Sequence, residues 1–235
     1  MAILFFATVI RSAFGFGEAL VGVPLLAIII SVDVAAPVVA LISVTVAAVV
    51  IAYDWHEVRF QSAGRLLFAT LFGIPFGLVL LVATSESVVK SLLAVVIIIF
   101  SLYALTGGSH YKMNSDRWAW PFGFLAGILG GAYGMNGPPL VMFGGLRRWP
   151  PGHFRATLQG YFLPASILIM AGYWWAGLWT QEVNHYYLGS LPAVLFAVFL
   201  GRAINRRMSS DRFLIYIHAG LIIIGFLLLI QATGK

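Results

Sequence analysis

The sequence predicts an all-α polytopic membrane protein made of two inverted repeats, each a broken re-entrant helical hairpin followed by three transmembrane helices. Three observations lead there. The 235 residues are 61% hydrophobic and 9% charged, with a mean hydropathy of +0.96, which leaves too few polar groups to cover a globule in water. Two glycine-rich breaks, Gly15-Phe16-Gly17-Glu18 and Gly134-Met135-Asn136-Gly137-Pro138-Pro139, interrupt the apolar runs at 1–31 and 118–146. Each break is followed by three unbroken apolar segments of helix length.

Taken in order, repeat 1 covers 1–107, with a broken hairpin at 1–31 and helices at 35–53, 66–84 and 88–107. Repeat 2 covers 108–235, with a broken hairpin at 118–146 and helices at 156–178, 186–204 and 213–232. Aromatic residues gather at segment ends, where amphipathic rings suit headgroup depth: Tyr53 and Trp55, Trp118 and Trp120, Tyr173 to Trp175, and Trp179. The halves also match residue by residue: Gly15 with Gly134 at an offset of 119, Glu57-Val58 with Glu182-Val183 at 125, Gly77 with Gly201 at 124, and Ile97 with Ile222 at 125. The shared order of one broken and three unbroken segments points to a duplication.

Length decides whether the broken segments cross the bilayer. Residues 1–31 as one helix would run roughly 46 Å, well beyond a hydrocarbon core of about 30 Å. As hairpins they leave six full spans, and eleven of the fourteen Lys and Arg residues then fall on one face, with Lys90 and Lys235 opposite and Arg11 inside the membrane. If all eight segments crossed, the division would be eight against five. The excess of positive charge on cytoplasmic loops favours hairpins, and with them inverted repeats and both termini outside a bacterial-type cell membrane.

A break exposes backbone N–H and C=O groups in hydrocarbon, so it persists only where protein, water or a ligand covers it. Two such breaks, one per half, mark the substrate region of many carriers. The returning half-helix presents free N–H groups and a positive dipole end at each tip, which suits an anion. Asn136 is a good N-cap type, and Pro138 fits the first turn. Gly15, Gly17, Gly134 and Gly137, with Phe16 and Met135 between them, permit tight turning; the plainer reading is that the glycines only let helices pack closely.

Arg11 and Glu18 are ionisable groups at membrane depth, which are functional candidates by default. Arg11 lies about one turn before the first tip and can meet an anionic group through its planar fork. Glu18 begins the returning half-helix and is the coupling or gating candidate: it could carry a coupling proton or release Arg11 when substrate arrives. A permanent structural Arg11–Glu18 pair is the competing reading. Gln159 and Tyr161, early in the span after the second hairpin, could supply donors to an oxyanion, or simply a helix-packing hydrogen bond. His218, in the last segment, could relay protons or sit neutral with one partner.

The run Gly15-Phe16-Gly17-Glu18-Ala19-Leu20-Val21-Gly22-Val23-Pro24-Leu25-Leu26 resembles the first motif of the sulfite exporter (TauE/SafE) family, a glycine-rich turn followed by an apolar stretch ending in Pro-x-Leu. The run from Gly134 to Val141 resembles its second, and with the repeated segment order the likeness covers essentially the whole chain. The resemblance implies a secondary carrier, often an exporter, of small sulfur-containing anions such as sulfite or two-carbon sulfonates. By position, Gly15, Gly17, Gly134, Asn136, Gly137 and Pro138 would form its substrate region. Glu18 and Ala19 stand where the family usually has glycine, which makes the first tip more acidic and bulkier.

Other classes fit less well. The net charge of +6 could suggest nucleic acid, but the basic residues are scattered through short loops with no run of five. Cysteine is absent, which excludes disulfides and thiolate metal sites, and no cofactor is expected. No basic residue precedes the first apolar run, so it does not read as a signal peptide. An enzyme is not expected either, since the chain has no Gly-x-Ser-x-Gly, no His-Glu-x-x-His and no paired intramembrane aspartates. The alternatives kept open are a proton- or cation-coupled carrier or channel using Glu18, and a non-transport scaffold. The expected partners are a small anionic substrate, the lipid bilayer and a coupling proton or ion, with a homodimer left open.

Overall fold

The computed structural model describes the backbone of residues 1–54, 60–106, 113, 115–205 and 211–233. Every regular element among them is helical. Glu57-Val58 and Trp55 lie outside the described residues, as do the side chains of Tyr53, His153, Arg155 and Gln159.

The first break separates α1 (Ala2–Phe14) from α2 (Glu18–Ala27). Gly15 and Gly17 take left-handed φ values of 85° and 101°, a conformation that glycine adopts without a Cβ penalty. Gly15 N–H donates to Arg11 O at 2.6 Å and stops α1. The two helices then run antiparallel, since Gly17 lies against Ile10 and Gly22 against Ala7. The long helices α3 (Val32–Asp54), α4 (Phe60–Ala83) and α5 (Glu86–Leu105) follow.

After a short 3-10 turn at Asp116–Trp118, the pattern recurs with α6 (Ala119–Tyr133) and α7 (Gly137–Leu146). Gly134, at φ 63°, makes the stop, and its N–H donates to Gly130 O at 2.7 Å. Met113 N–H donates to Leu146 O at 2.8 Å, so the end of α7 comes back beside the segment that leads into α6. Then come α8 (Pro151–Trp175), α9 (Gln181–Asn205) and α10 (Asp211–Thr233).

Among the described residues, four stretches are long and apolar enough to cross a bilayer: Val32–Val50, Ala63–Ala83, Glu86–Leu105 and Gln181–Ile204. Helices α8 and α10 are as long, at 25 and 23 residues. The arms of the hairpins are shorter. At 13 and 10 residues, α1 and α2 measure roughly 20 and 15 Å, about half to two-thirds of the hydrocarbon thickness.

The helices pack crosswise between the halves. Helix α1 lies along α9, α6 along α4, α3 along α8, and α5 along α10. Both hairpin contacts are parallel: Met1 meets Gly189, Phe5 stacks on Phe196, and Val9 meets Gly201, while Leu66 meets Gly123 and Gly77 meets Gly131. Gly77 and Gly201 each sit in one of these two contacts. A Cβ on Gly77 would strike Ile128 O, and one on Gly201 would come within 2.7 Å of Val9 O. Small residues here let two backbones touch, which substitutes for the hydrophobic drive that lipid does not supply between helices.

Helix α3 is the axis of the bundle, with residues 34–43 all buried. Around it the outer faces of α4, α5, α9 and α10 expose Phe72, Phe76, Ile99, Phe196, Phe226 and Ile230. So extensive an apolar exterior is that of a lipid-facing surface.

Candidate functional site

The two hairpin turns line one cavity of about 20 Å³, room for about one water. From the first turn it receives Arg11, Phe16, Gly17, Glu18, Ala19 and Leu20, and from the second Gly134, Met135, Asn136, Gly137 and Pro138. Ser43 of α3 and Phe162 and Ser166 of α8 complete the wall.

Glu18 is the first residue of α2, next to the positive end of that helix, and is 2% exposed. Its carboxylate is held by three donors: Arg11 Nη1 at 2.6 Å and Ser43 Oγ at 2.8 Å to Oε2, and Thr8 Oγ1 at 3.1 Å to Oε1. Arg11 is 7% exposed, and its guanidinium also lies 5.3 Å from the Phe162 ring centroid, a cation–π contact. The buried cation and anion therefore satisfy one another.

The second turn departs from the expected N-cap. Asn136 occupies the cap position of α7 but makes no side-chain cap hydrogen bond. Its backbone is helical, φ −89° and ψ −8°, rather than the extended form usual for a cap, and the residues two and three places on, Pro138 and Pro139, have no N–H to offer. The side chain is thereby released. Asn136 is 6% exposed, and its Nδ2 makes no hydrogen bond. A buried amide left without a partner costs about 1–3 kcal/mol, so it calls for an acceptor in the cavity.

The donors around the cavity are thus Arg11, the hydroxyls of Ser43 and Ser166, Asn136 Nδ2, and the first-turn N–H groups of α2 and of Gly137, which no helix can satisfy internally. Neither α2 nor α7 has a side-chain cap. Glu18 is the one anionic group among the described lining residues. The sulfite exporter TauE/SafE family profile matches residues 1–228. The chain belongs to the TauE/SafE sulfite exporter family. No curated protein and no solved structure gives a significant match. Family membership implies a multi-pass membrane transporter of sulfite or related anions.

In this TauE/SafE protein the fold gathers nine of the residues singled out in the sequence around one cavity: Arg11, Phe16, Gly17, Glu18, Gly134, Met135, Asn136, Gly137 and Pro138. Gly15 shapes the turn but is not part of the cavity lining. Tyr161 is elsewhere: fully buried, with its hydroxyl 2.6 Å from Thr70 Oγ1 in the α4–α8 contact. His218 is also remote, its Nδ1 3.4 Å from Ser101 Oγ and its ring edge-on to Phe100 between α5 and α10. The Gln159 side chain lies outside the described residues.

Thr8, Ser43, Phe162 and Ser166 were not singled out by the sequence reading. Ser43 and Ser166 carried a signal, because they are related by an offset of 123, beside the 124 that relates Gly77 to Gly201. A second, larger cavity of about 380 Å³ opens between the start of α3 and α5 and the end of α4, lined by Asp33, Thr84, Glu86 and Val89 among others. The Tyr133 hydroxyl donates to O of Val89, a residue of the outer cavity, at 3.0 Å, and the next residue along the chain, Gly134, lines the tip cavity.

Proposed function

We propose that this protein is a secondary carrier that exports a small anion, such as sulfite or a short organosulfonate, and that its substrate sits between the two hairpin turns. The observation that carries the reading is the Asn136 amide, buried without an acceptor in the cavity that Arg11 also lines and where two uncapped helix N-termini converge. Trigonal and tetrahedral oxyanions are matched by this set of convergent N–H and O–H donors. A cation fares worse there. The Glu18 carboxylate already accepts from three donors, and cation sites want several free oxygens.

The packing supports an inverted duplication. Exchange α1 to α5 for α6 to α10 and the principal contacts map onto one another, α1 with α9 onto α6 with α4, and α3 with α9 onto α8 with α4. The parallel runs of α1 with α9 and of α6 with α4 are also those required if the first hairpin enters from the face bearing both termini and the second from the opposite, cytoplasmic face. In that arrangement the tips meet near the bilayer midplane, and movement of one repeat against the other opens the site alternately to each side. The test is flux of radiolabelled sulfite in proteoliposomes. Wild type should move it, and Arg11→Lys, which keeps the charge but loses the fork, should move it at least tenfold more slowly. Equal flux in protein-free vesicles would refute the reading.

A further inference from the structure

The charges in the tip cavity already cancel, and this shapes what can enter, given the anion site proposed above. Arg11 and Glu18 are the charged groups among the described residues that line it. Helix α2 packs on α1, α3, α5, α7 and α10. Of these, α1 presents Arg11 and Thr8 to the Glu18 carboxylate and α3 presents Ser43. Helix α7 brings the neutral Asn136 to the cavity. His218 of α10 is turned to Ser101, and Glu86 and Lys90 of α5 pair with each other at 3.0 Å by the outer cavity. An anion on Arg11 would therefore leave two negative charges against one positive charge among buried side chains, which burial strongly disfavours.

Space imposes the same exclusion. A cavity of about 20 Å³ has room for about one water, and the Glu18 carboxylate already holds Arg11 Nη1, so a sulfonate that takes that position on Arg11 displaces Glu18 from it. We propose that Glu18 is the proton site of the carrier, taking one proton from solvent for each singly charged anion that takes Arg11. The O–H bond forms on the Glu18 carboxyl as its ion pair with Arg11 breaks. The protonated acid then donates to a hydroxyl that formerly donated to it, Ser43 or Thr8. The loaded cavity is neutral, as the empty one is. Asn136 Nδ2 and Gly137 N–H serve the anion throughout, since neither engages Glu18. By linkage, protons tighten anion binding and the anion tightens proton binding by the same factor.

The test uses purified full-length protein and methanesulfonate, a strong-acid monoanion that does not itself titrate over the range. Calorimetry in two buffers of different ionisation enthalpy counts the protons exchanged. Wild type should take up about one proton per anion, with affinity rising about tenfold for each pH unit lowered. Glu18→Gln, a neutral stand-in for the protonated acid, should bind methanesulfonate independently of pH and take up no proton. Binding by wild type with no proton exchange and a flat pH profile would overturn the coupling while leaving the anion site in place. No binding of methanesulfonate by wild type at any pH would overturn the anion site and the coupling with it. If Glu18→Gln does not fold, the wild-type proton count decides alone.

Discussion

Arg11 Nη1 lies 2.6 Å from Glu18 Oε2 across the first hairpin turn, and both residues are buried. Removing one partner strands the other. Arg11→Met should lower stability by about 3–5 kcal/mol, while Arg11→Met with Glu18→Met should recover to wild type or above. Thermal unfolding in detergent measures both, and additive losses in the double variant would contradict the pairing.

The contact of α4 with α6 depends on glycine at some positions and not at others. At Gly77 a Cβ would strike Ile128 O, whereas at Gly64, on the same helix, it would meet nothing within 4 Å. Gly77→Ala should therefore lose about 1–3 kcal/mol from overpacking. Gly64→Ala should gain about 0.5–1 kcal/mol from helix propensity. Equal melting temperatures for the two variants would argue against the backbone contact.

Tyr161 and Thr70, neither of them in the lining of the tip cavity, tie α8 to α4 through a 2.6 Å hydrogen bond. Tyr161→Phe should lose about 0.5–1.5 kcal/mol of stability and leave anion affinity unchanged. A fall in affinity with unchanged stability would place Tyr161 in the site after all.

Tyr133 precedes Gly134 of the tip cavity, and its hydroxyl donates to O of Val89, which lines the outer cavity. The chain has no cysteine, so Ser166→Cys reports on the tip cavity without background. Tyr133→Ala should increase its modification by a small charged thiosulfonate added from the Asp33 side by an order of magnitude or more. Unchanged modification would mean that the route from that side runs elsewhere.

Much of the architecture was legible because its signals are local. Gly15-Phe16-Gly17 and Gly134 interrupt apolar runs too short to cross in halves and too long to cross whole, and the helices stop at those residues. The pairing of Arg11 with Glu18 was also legible, since two ionisable groups one hairpin turn apart in lipid have few other partners. Ser43 and Ser166 were not, because a single serine in a long apolar helix has no address until the packing of α3 and α8 places it. Asn136 shows the limit from the other side. Its residue type suggested a cap, and only the two prolines after it, taken with the helical backbone at Asn136 itself, turn its amide to the cavity. Tyr161 and His218 were drawn into the candidate site by their chemistry, and tertiary packing placed both in interfaces between helices.

The most direct measurement of the central claim is the thermal stability of wild type and Asn136→Leu against sulfite, methanesulfonate, sulfate and chloride. The substitution keeps both members of the Arg11–Glu18 pair and removes a buried amide that lacks an acceptor. A ligand at a hundred times its Kd adds about 2.7 kcal/mol to the folded state. Sulfite or methanesulfonate should raise the melting temperature of wild type by several degrees, chloride should not, and the rise should vanish in Asn136→Leu. An undiminished rise in Asn136→Leu, or no rise in wild type with any of the four, would contradict an anion site between the hairpin turns.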